Sequence, residues 1–388
     1  SMDFQLSEEQ QQFKDAAKRY ADEQMVAVAT ECEESNVPPS VEVRHALAEQ
    51  GFFGMNIAEE YGGLGRSNLD AIIVLEQFAR ISTAAAWPIF ESVVGPIKAI
   101  ENFAPEELRQ RILPKVCTGD IQVSICISEP DAGTAATDLK TRAVTKGDEI
   151  IVNGQKRWTS GGAHADGYVV YCRMSDQPGA KGIGAVYVEK DTPGLNLGKH
   201  ESLMGWRGIG HCDVIFDDVR IPIENQIVPA GGFRQLMQAF DLERCGNATM
   251  CLGLALGALE QVTEYVQERE QFGKPIIDFQ AVQLRLAEMS MQVDASRLLI
   301  YRAVFNASKG LPSILESSTA KCFANEMVRT VTAHALQVMG GYGFAKEYGM
   351  EQRVRDAFGW GLAGGTIDVQ KTNIASAIVG RRFNQRAK

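Results

Sequence analysis

A carboxylate set inside an otherwise apolar helix is the first group in this chain with chemistry to offer. In the stretch LMQAFDLERCGNATMCLGL (236–254), Leu236, Phe240, Glu243, Asn247, Met250 and Leu254 share one stripe at helical spacing. The small residues Gly246, Ala248, Gly253, Ala255, Gly257 and Ala258 follow and let neighbouring backbones approach closely. A glutamate on the core-facing side of such a helix is costly unless it is paired, hydrogen-bonded or protonated. Glu243 is therefore a candidate acid or base. The competing explanation is a helix rotated so that Glu243 reaches water or pairs with a basic residue, and the stripe alone leaves both open.

Three further segments combine reactive or ligand-holding residue types. SEPDAGT (128–134) places hydroxyls in a tight bend after a strand, where backbone N–H groups and side chains can face a polar ligand. WTSGG (158–162) puts an aromatic beside two hydroxyls and two glycines, which suits a flat ring ligand. VQEREQFGKP (266–275) ends a helix with Arg269 and Lys274 around Phe272. Each also has a structural explanation: a solvated turn, a core Trp at a strand end, and a capping turn whose cations complement the helix dipole. GWRGIG (205–210) is superficially a dinucleotide-type glycine pattern, but it lies between strands with no helix opening after it, and is set aside. No GxSxG, Walker or metal-ligand spacing occurs.

The elements that must position these groups follow from the hydrophobic period. Residues 3–120 read as helices. Ser7 and Gln10 form a capping box, helices fall around 41–50 and 69–81, and the loop EEYGGLGRSN lies between those two. Residues 121–226 read as an antiparallel β-domain of short strands, with Asn153-Gly154 expected to form a hairpin turn. Residues 231–384 read as helices again, over 232–269, 278–308, 312–340 and 367–381, with an interruption across 340–366. The expected class is α+β. Its 388 residues suffice for two or three domains, and a net charge of −10 argues against nucleic-acid or anionic-membrane partners. The eight cysteines are scattered without a CxxC pair, which suggests reduced core thiols in a cytosolic-type compartment. The first turn is already amphipathic, so no signal peptide is expected, and Ser1 before Met2 reads as a cloning remnant.

Taken together, EEYGGLG (59–65), CISEPDAGT (126–134), NGQKRWTSGG (153–162), MGWRGIG (204–210), FDDVRIP (216–222), REQFGKP (269–275), LQVMGGYGF (336–344) and RDAFGWGLAGGT (355–366) resemble the acyl-CoA dehydrogenase family. The likeness runs from Phe4 to Arg381. It implies an N-terminal helical domain, a middle β-domain and a C-terminal four-helix bundle. It also implies one FAD per subunit, a homotetramer built as a dimer of dimers, electron transfer to an electron-transferring flavoprotein, and a cytoplasmic or mitochondrial-matrix location. By position, Ser128, Trp158 and Ser160 match residues that contact the flavin, and Thr134 matches the position shared by pyrophosphate and pantetheine contacts. Arg269, Phe272, Gln337 and Gly341 match those a neighbouring subunit offers to the FAD, and Thr366 matches a further cofactor contact.

Two departures from the family pattern bear on the chemistry. Where many members have Tyr-Glu-Gly-Thr, with the Glu as catalytic base, this chain reads Ala363-Gly364-Gly365-Thr366. Gly364 cannot remove a proton, but its N–H can still hold the thioester oxygen. In the branch that includes the isovaleryl-CoA and carnitine-pathway types the base precedes an Arg on a helix, and here that place is Glu243-Arg244. The resemblance thus implies α,β-dehydrogenation of an acyl-CoA, with Glu243 taking the α-proton and flavin N5 the β-hydride. Phe240, Asp241 and Arg244 would flank the CoA chain and orient the base, while bulky Trp87 and Trp360 with Phe90 and Ala363 suggest a short or branched acyl group. The family's Ser-Asp after the turn is altered to Thr134-Ala135, which puts one cofactor contact in doubt. The alternatives are a member turned to non-oxidative C–S cleavage, whose relatives lack both bases, and a catalytically silent CoA- or FAD-binding protein.

Overall fold

The computed structural model describes residues 2–386, so Ser1 lies outside it. Seven helices come first: α1 (Glu8–Tyr20), α2 (Val26–Ser35), α3 (Val41–Glu49), α4 (Asn68–Ala79), α5 (Thr83–Val93), α6 (Ile97–Phe103) and α7 (Glu106–Cys117). The Ser7/Gln10 capping box opens α1, satisfying two N–H groups that the helix itself leaves without partners. Every residue of α4 and α5 is buried, which marks them as the inner wall of the N-terminal unit.

The chain then forms an eight-stranded sheet from β1 (Val123–Cys126), β2 (Arg142–Lys146), β3 (Glu149–Thr159), β4 (Gly167–Arg173), β5 (Ile183–Glu189), β6 (Leu195–Leu197), β7 (Cys212–Pro222) and β8 (Gln226–Val228). The main path runs β6-β7-β3-β2-β4-β5-β8. Most pairs are antiparallel, as expected, but β1 joins β4 in parallel, so the sheet is mixed. The expected Asn153-Gly154 hairpin is corrected. These two residues lie within β3, and the reversal is made one strand earlier at Gly147-Asp148, between β2 and β3. At Asn153-Gly154 the register against β7 shifts, and the Asn153 amide exchanges hydrogen bonds with Asp218 (3.0 and 2.8 Å). The Asn-Gly signal therefore marks a bulge that bends a long strand rather than a turn that ends it.

The helical period returns in α8 (Phe233–Glu268), α9 (Gln280–Ala307), α10 (Ile314–Met339), α11 (Gly341–Phe344), α12 (Met350–Trp360) and α13 (Ile367–Val379). The sequence left 340–366 as an interruption, yet most of it is helix; its glycines obscured the period. A small hairpin, β9 (Glu270–Gln271) with β10 (Lys274–Pro275), separates α8 from α9. With 36 residues, α8 is about 54 Å long and is the axis of the molecule. Its small residues do what the pattern implied. A Cβ added at Gly246 would meet Val94 Cγ2 at 2.2 Å, and one at Gly253 would meet Ala79 Cβ at 2.3 Å. Side chains at these points would push α8 off α5 and α4. No helix among the described residues is long and apolar enough to cross a membrane.

Candidate active site

Glu243 sits on the stripe of α8 that also holds Phe240 and Asn247, facing the junction of the three units. Its carboxyl has no hydrogen-bond partner or ion pair among the described residues and is only partly covered, so it borders open space. Burial pushes its pKa up to about 8, and the neighbouring Arg244 charge opposes this only in part. Arg244 is committed elsewhere. It is buried, pairs with Asp241 one turn back, and lies over the Phe240 ring at 5.2 Å. The Ser317 hydroxyl also donates to Asp241 (3.3 Å). Thus Glu243 carries the carboxylate left uncommitted on this turn of the helix.

The loop 361–366, between α12 and α13, crosses α8 at the same level. A Cβ on Gly364 would lie 3.4 Å from Phe240 Cζ, and the Asn247 amide donates to Trp360 O (3.2 Å) and Ala363 O (3.5 Å). Phe240 and Asn247 bracket Glu243 on their stripe, so the loop and the carboxylate are neighbours. Gly364 and Gly365 both have positive φ (+68° and +90°), a conformation that L side chains rarely adopt. Thr366 caps α13, its hydroxyl accepting from the Val369 N–H (3.3 Å).

The β-sheet supplies the third side. Ser128 and Thr134 lie on a bend whose hydroxyls have no partner among the described residues. The bend is fixed by Glu129, whose carboxylate accepts from the Lys140 N–H (2.6 Å), the Thr141 N–H (2.9 Å) and the Lys156 ammonium (2.8 Å). Burial works against that charge, but Lys156 and the donors outweigh it and hold the carboxyl below its usual range. Trp158, next to the last residue of β3, has φ +55° and a half-exposed side chain, and the Arg157 guanidinium lies 4.8 Å above its ring. A non-glycine residue at such a φ is strained, and such strain collects at ligand sites. The Ser160 hydroxyl bonds His211 Nε2 (2.9 Å); desolvation lowers the His211 pKa to about 4, so the ring is neutral.

Reasoning from sequence missed three residues of this site: His211, Glu91 and Lys321. Glu91 on α5 is buried, and a Cβ on Gly161 would meet Trp87 Nε1, Ser124 Oγ and Glu91 Oε1 at 3.0, 3.1 and 3.2 Å. Desolvation lifts its pKa well above the ordinary value, with the nearby Glu243 charge adding to the rise and Trp87 opposing it. The signal was present: FES (90–92) places a carboxylate inside an apolar helix, as on α8. Behind Glu91 the rings of Trp87, Phe90, Trp206 and Trp360 pack with centroids 4.3–6.1 Å apart, filling the floor of the site.

The remaining expected cofactor residues lie elsewhere. Arg269, Phe272, Gln337 and Gly341 gather at the far end of the bundle, with Arg269 over Tyr342 at 5.3 Å. Phe272 tips the β9–β10 hairpin and is 93% exposed. Arg269 follows Glu243 by 26 residues along α8, which puts the two ends about 39 Å apart. The expected cofactor residues thus fall in two groups toward opposite ends of α8 rather than in one set.

An aromatic face, unpartnered hydroxyls and free turn N–H groups beside a deep carboxyl fit a flavin. Ser128, Trp158 and Ser160 would hold its ring portion, and Thr134 would lie toward its pyrophosphate. The three-part architecture and this donor set define a flavoprotein class. Models of the acyl-CoA dehydrogenase N-terminal, middle and C-terminal domains match residues 7–120, 124–219 and 230–379, and the chain belongs to that family. The family's cofactor is FAD. The chain is 36% identical to a 3-sulfinopropanoyl-CoA desulfinase of Paraburkholderia xenovorans, over 99% of each chain. It is 35% identical to an acryloyl-CoA reductase (NADH) of Anaerotignum propionicum, over 98% of this chain and 97% of the relative. The structure of butyryl-CoA dehydrogenase from Megasphaera elsdenii superimposes with a TM-score of 0.93 at 32% identity, covering 97% of this chain and all of that one.

Proposed function

We propose that the protein catalyses FAD-dependent α,β-dehydrogenation of a short or branched acyl-CoA, with Glu243 as the base. One observation carries this reading: an uncommitted carboxyl with a raised pKa lies at the level where loop 361–366 crosses α8. Removing the α-proton needs a carboxylate close to working pH and shielded from water. The partial burial of Glu243 raises its pKa toward that range, and bound substrate and cofactor would complete the exclusion of water. The Gly364 N–H would hold the thioester oxygen as negative charge grows on it. Bound FAD would supply the hydride acceptor. Phe240 would border the thioester, and the Asp241–Arg244 pair would hold that turn of α8 in register. The bulky Trp87, Phe90, Trp206 and Trp360 rings packed together near Glu91 support a short acyl chain.

The 39 Å between the half-sites supports an assembly in which Arg269, Phe272, Gln337 and Gly341 of one copy complete the FAD site of another. The outer face of α9 supports it too: Leu284, Met291, Leu298 and Phe305 recur every seven residues and are all exposed. A homotetramer, reoxidised by an electron-transferring flavoprotein, is the assembly we infer.

The 36% identity to a desulfinase favours a second reading, C–S cleavage without net oxidation. Anaerobic titration of the holoenzyme with butyryl-CoA, isobutyryl-CoA and 3-sulfinopropanoyl-CoA separates the two. Bleaching of the flavin by an acyl-CoA supports dehydrogenation. Sulfite release from 3-sulfinopropanoyl-CoA, with the flavin still oxidised and no bleaching by the other two, would replace it with the second reading.

A further inference from the structure

Lys321 on α10 is fully buried, yet no carboxylate among the described residues lies within ion-pair distance of it. The charged and titratable groups that face it are Arg244, Arg329, Cys251 and Cys322, none of them a counter-ion. Its three donors are nevertheless all used: on Gly365 O (2.8 Å), Trp360 O (3.2 Å) and Asn325 Oδ1 (2.8 Å). Burying an ammonium without a counter-ion is expensive, and an apolar side chain of similar length would fill the same volume at lower cost. Burial lowers its pKa to about 7. What that cost achieves is visible in the partners. Trp360 O lies just before loop 361–366 and Gly365 O near its end, and one ammonium ties the two together.

The loop needs such a tie. Backbone bonds hold the flanks of the loop, from the Leu362 and Ala363 N–H groups to Gly359 O and from the Ile367 N–H to Gly361 O, but the two successive glycines with positive φ can adopt many conformations, and their own N–H groups have no partner among the described residues. The carbonyls around them are held by side chains from outside the loop. Asn247 donates to Trp360 O and Ala363 O, Gln370 to Gly365 O (3.3 Å), and the Asn325 amide donates to Asn247 Oδ1 (2.9 Å), which links both to Lys321. In a trans peptide the C=O and the following N–H point in opposite directions. Holding Ala363 O against Asn247 therefore turns the Gly364 N–H to the other side, where it has no acceptor among the described residues.

We propose that Lys321 is a positioning residue which, with Asn247, staples loop 361–366 so that the Gly364 N–H is presented to the thioester carbonyl oxygen. The inference rests on the role given to Gly364 above. It explains how a site that has lost the side chain at this position keeps its oxygen-binding donor in place. Lys321 touches neither substrate nor cofactor in this account and acts through the backbone.

The test compares two ligands that differ in one oxygen. Holoenzyme is titrated by calorimetry with crotonyl-CoA and with its thioether counterpart, S-(but-2-enyl)-CoA, which lacks the carbonyl. Wild type is expected to prefer the thioester. Lys321→Met is expected to cut that preference at least about tenfold, the scale of one positioned donor, while leaving thioether affinity within about threefold. Lys321→Arg should restore part of it, and Asn247→Ala should lower it less than Lys321→Met. A merely structural role would weaken both ligands together, and that result would overturn the proposal. So would an unchanged ratio in Lys321→Met, or no preference in wild type. If Lys321→Met fails to fold, Asn247→Ala decides: an intact ratio there rejects the staple. Flavin bleaching by butyryl-CoA in the same wild-type preparation reports separately on dehydrogenation. A staple can therefore be established in an enzyme that proves not to dehydrogenate.

Discussion

The two ends of α8 are built on opposite plans. Around Glu243 the helix is enclosed: Asp241, Arg244 and Asn247 are buried, Gly246 is pressed against Val94, and buried side chains hold the crossing loop. Around Arg269 it is open, with an exposed Phe272 on a two-residue hairpin and the exposed Gln337 and Gly341 beside it. Enclosure at one end is what shifts a pKa and holds an N–H in place. Exposure at the other is what a second copy would need in order to dock. Under the proposed reading the contrast separates chemistry from assembly along one rod, and each half can be attacked alone.

The hardest blow to the enclosed end is Glu243→Gln. It should leave folded, yellow, FAD-containing protein whose bleaching by acyl-CoA is slowed by about 10³-fold, the range expected for a general base. Retention of full activity would remove the base from the account. At the open end, Phe272→Ala should weaken FAD retention by about tenfold, as loss of an interface aromatic does. Spectroscopic FAD occupancy after dialysis checks it. If occupancy is unchanged, Phe272 is an ordinary exposed ring and the half-site argument fails.

The pH dependence sharpens the enclosed end further. Glu243 rises from an ordinary 4.5 to about 8 in the folded chain. Between those values the native state holds a proton that the unfolded chain has released. Its contribution to stability is therefore complete below about pH 4.5 and lost as the pH rises through about 8. Activity runs the other way, because the base works only when ionised. The rate should climb through about pH 8 while the melting temperature falls, and Glu243→Gln should flatten both trends. Smallest of all is Glu91→Gln. Burial lifts its pKa well above the ordinary value, which favours the protonated form, and an amide mimics that form. The ascending limb of the rate profile should move by less than about half a unit. A shift of more than one unit would mean that Glu91 is ionised beside Glu243.

How much of this could be read from the sequence depended on how local the signal was. Glu243 stood out because one helix supplies its apolar stripe. The small residues of α8 were also legible, since their periodicity is local. Lys321 was not, because AKCFANE reads as an ordinary amphipathic segment until α12 and α13 fold across it. Nor was the strand reversal: Asn153-Gly154 has the composition of a turn, but β7 pairs along both sides of it and pulls the strand straight on. Helix α12 was lost because its neighbourhood is rich in glycine, although Trp206 N–H bonds Asp356 on it at 2.7 Å across 150 residues. In each case the deciding partner lies far away along the chain.

Trp158, with its left-handed backbone, sits where two demands conflict. A glycine there would adopt the same torsion freely, so Trp158→Gly should ease the local geometry even as it deletes the ring. Sequence changes selected only for a hardier protein would drift toward glycine at this point, and those selected for turnover would keep the indole. A library screened once for heat resistance and once for catalysis would register that tension as opposite choices at a single codon.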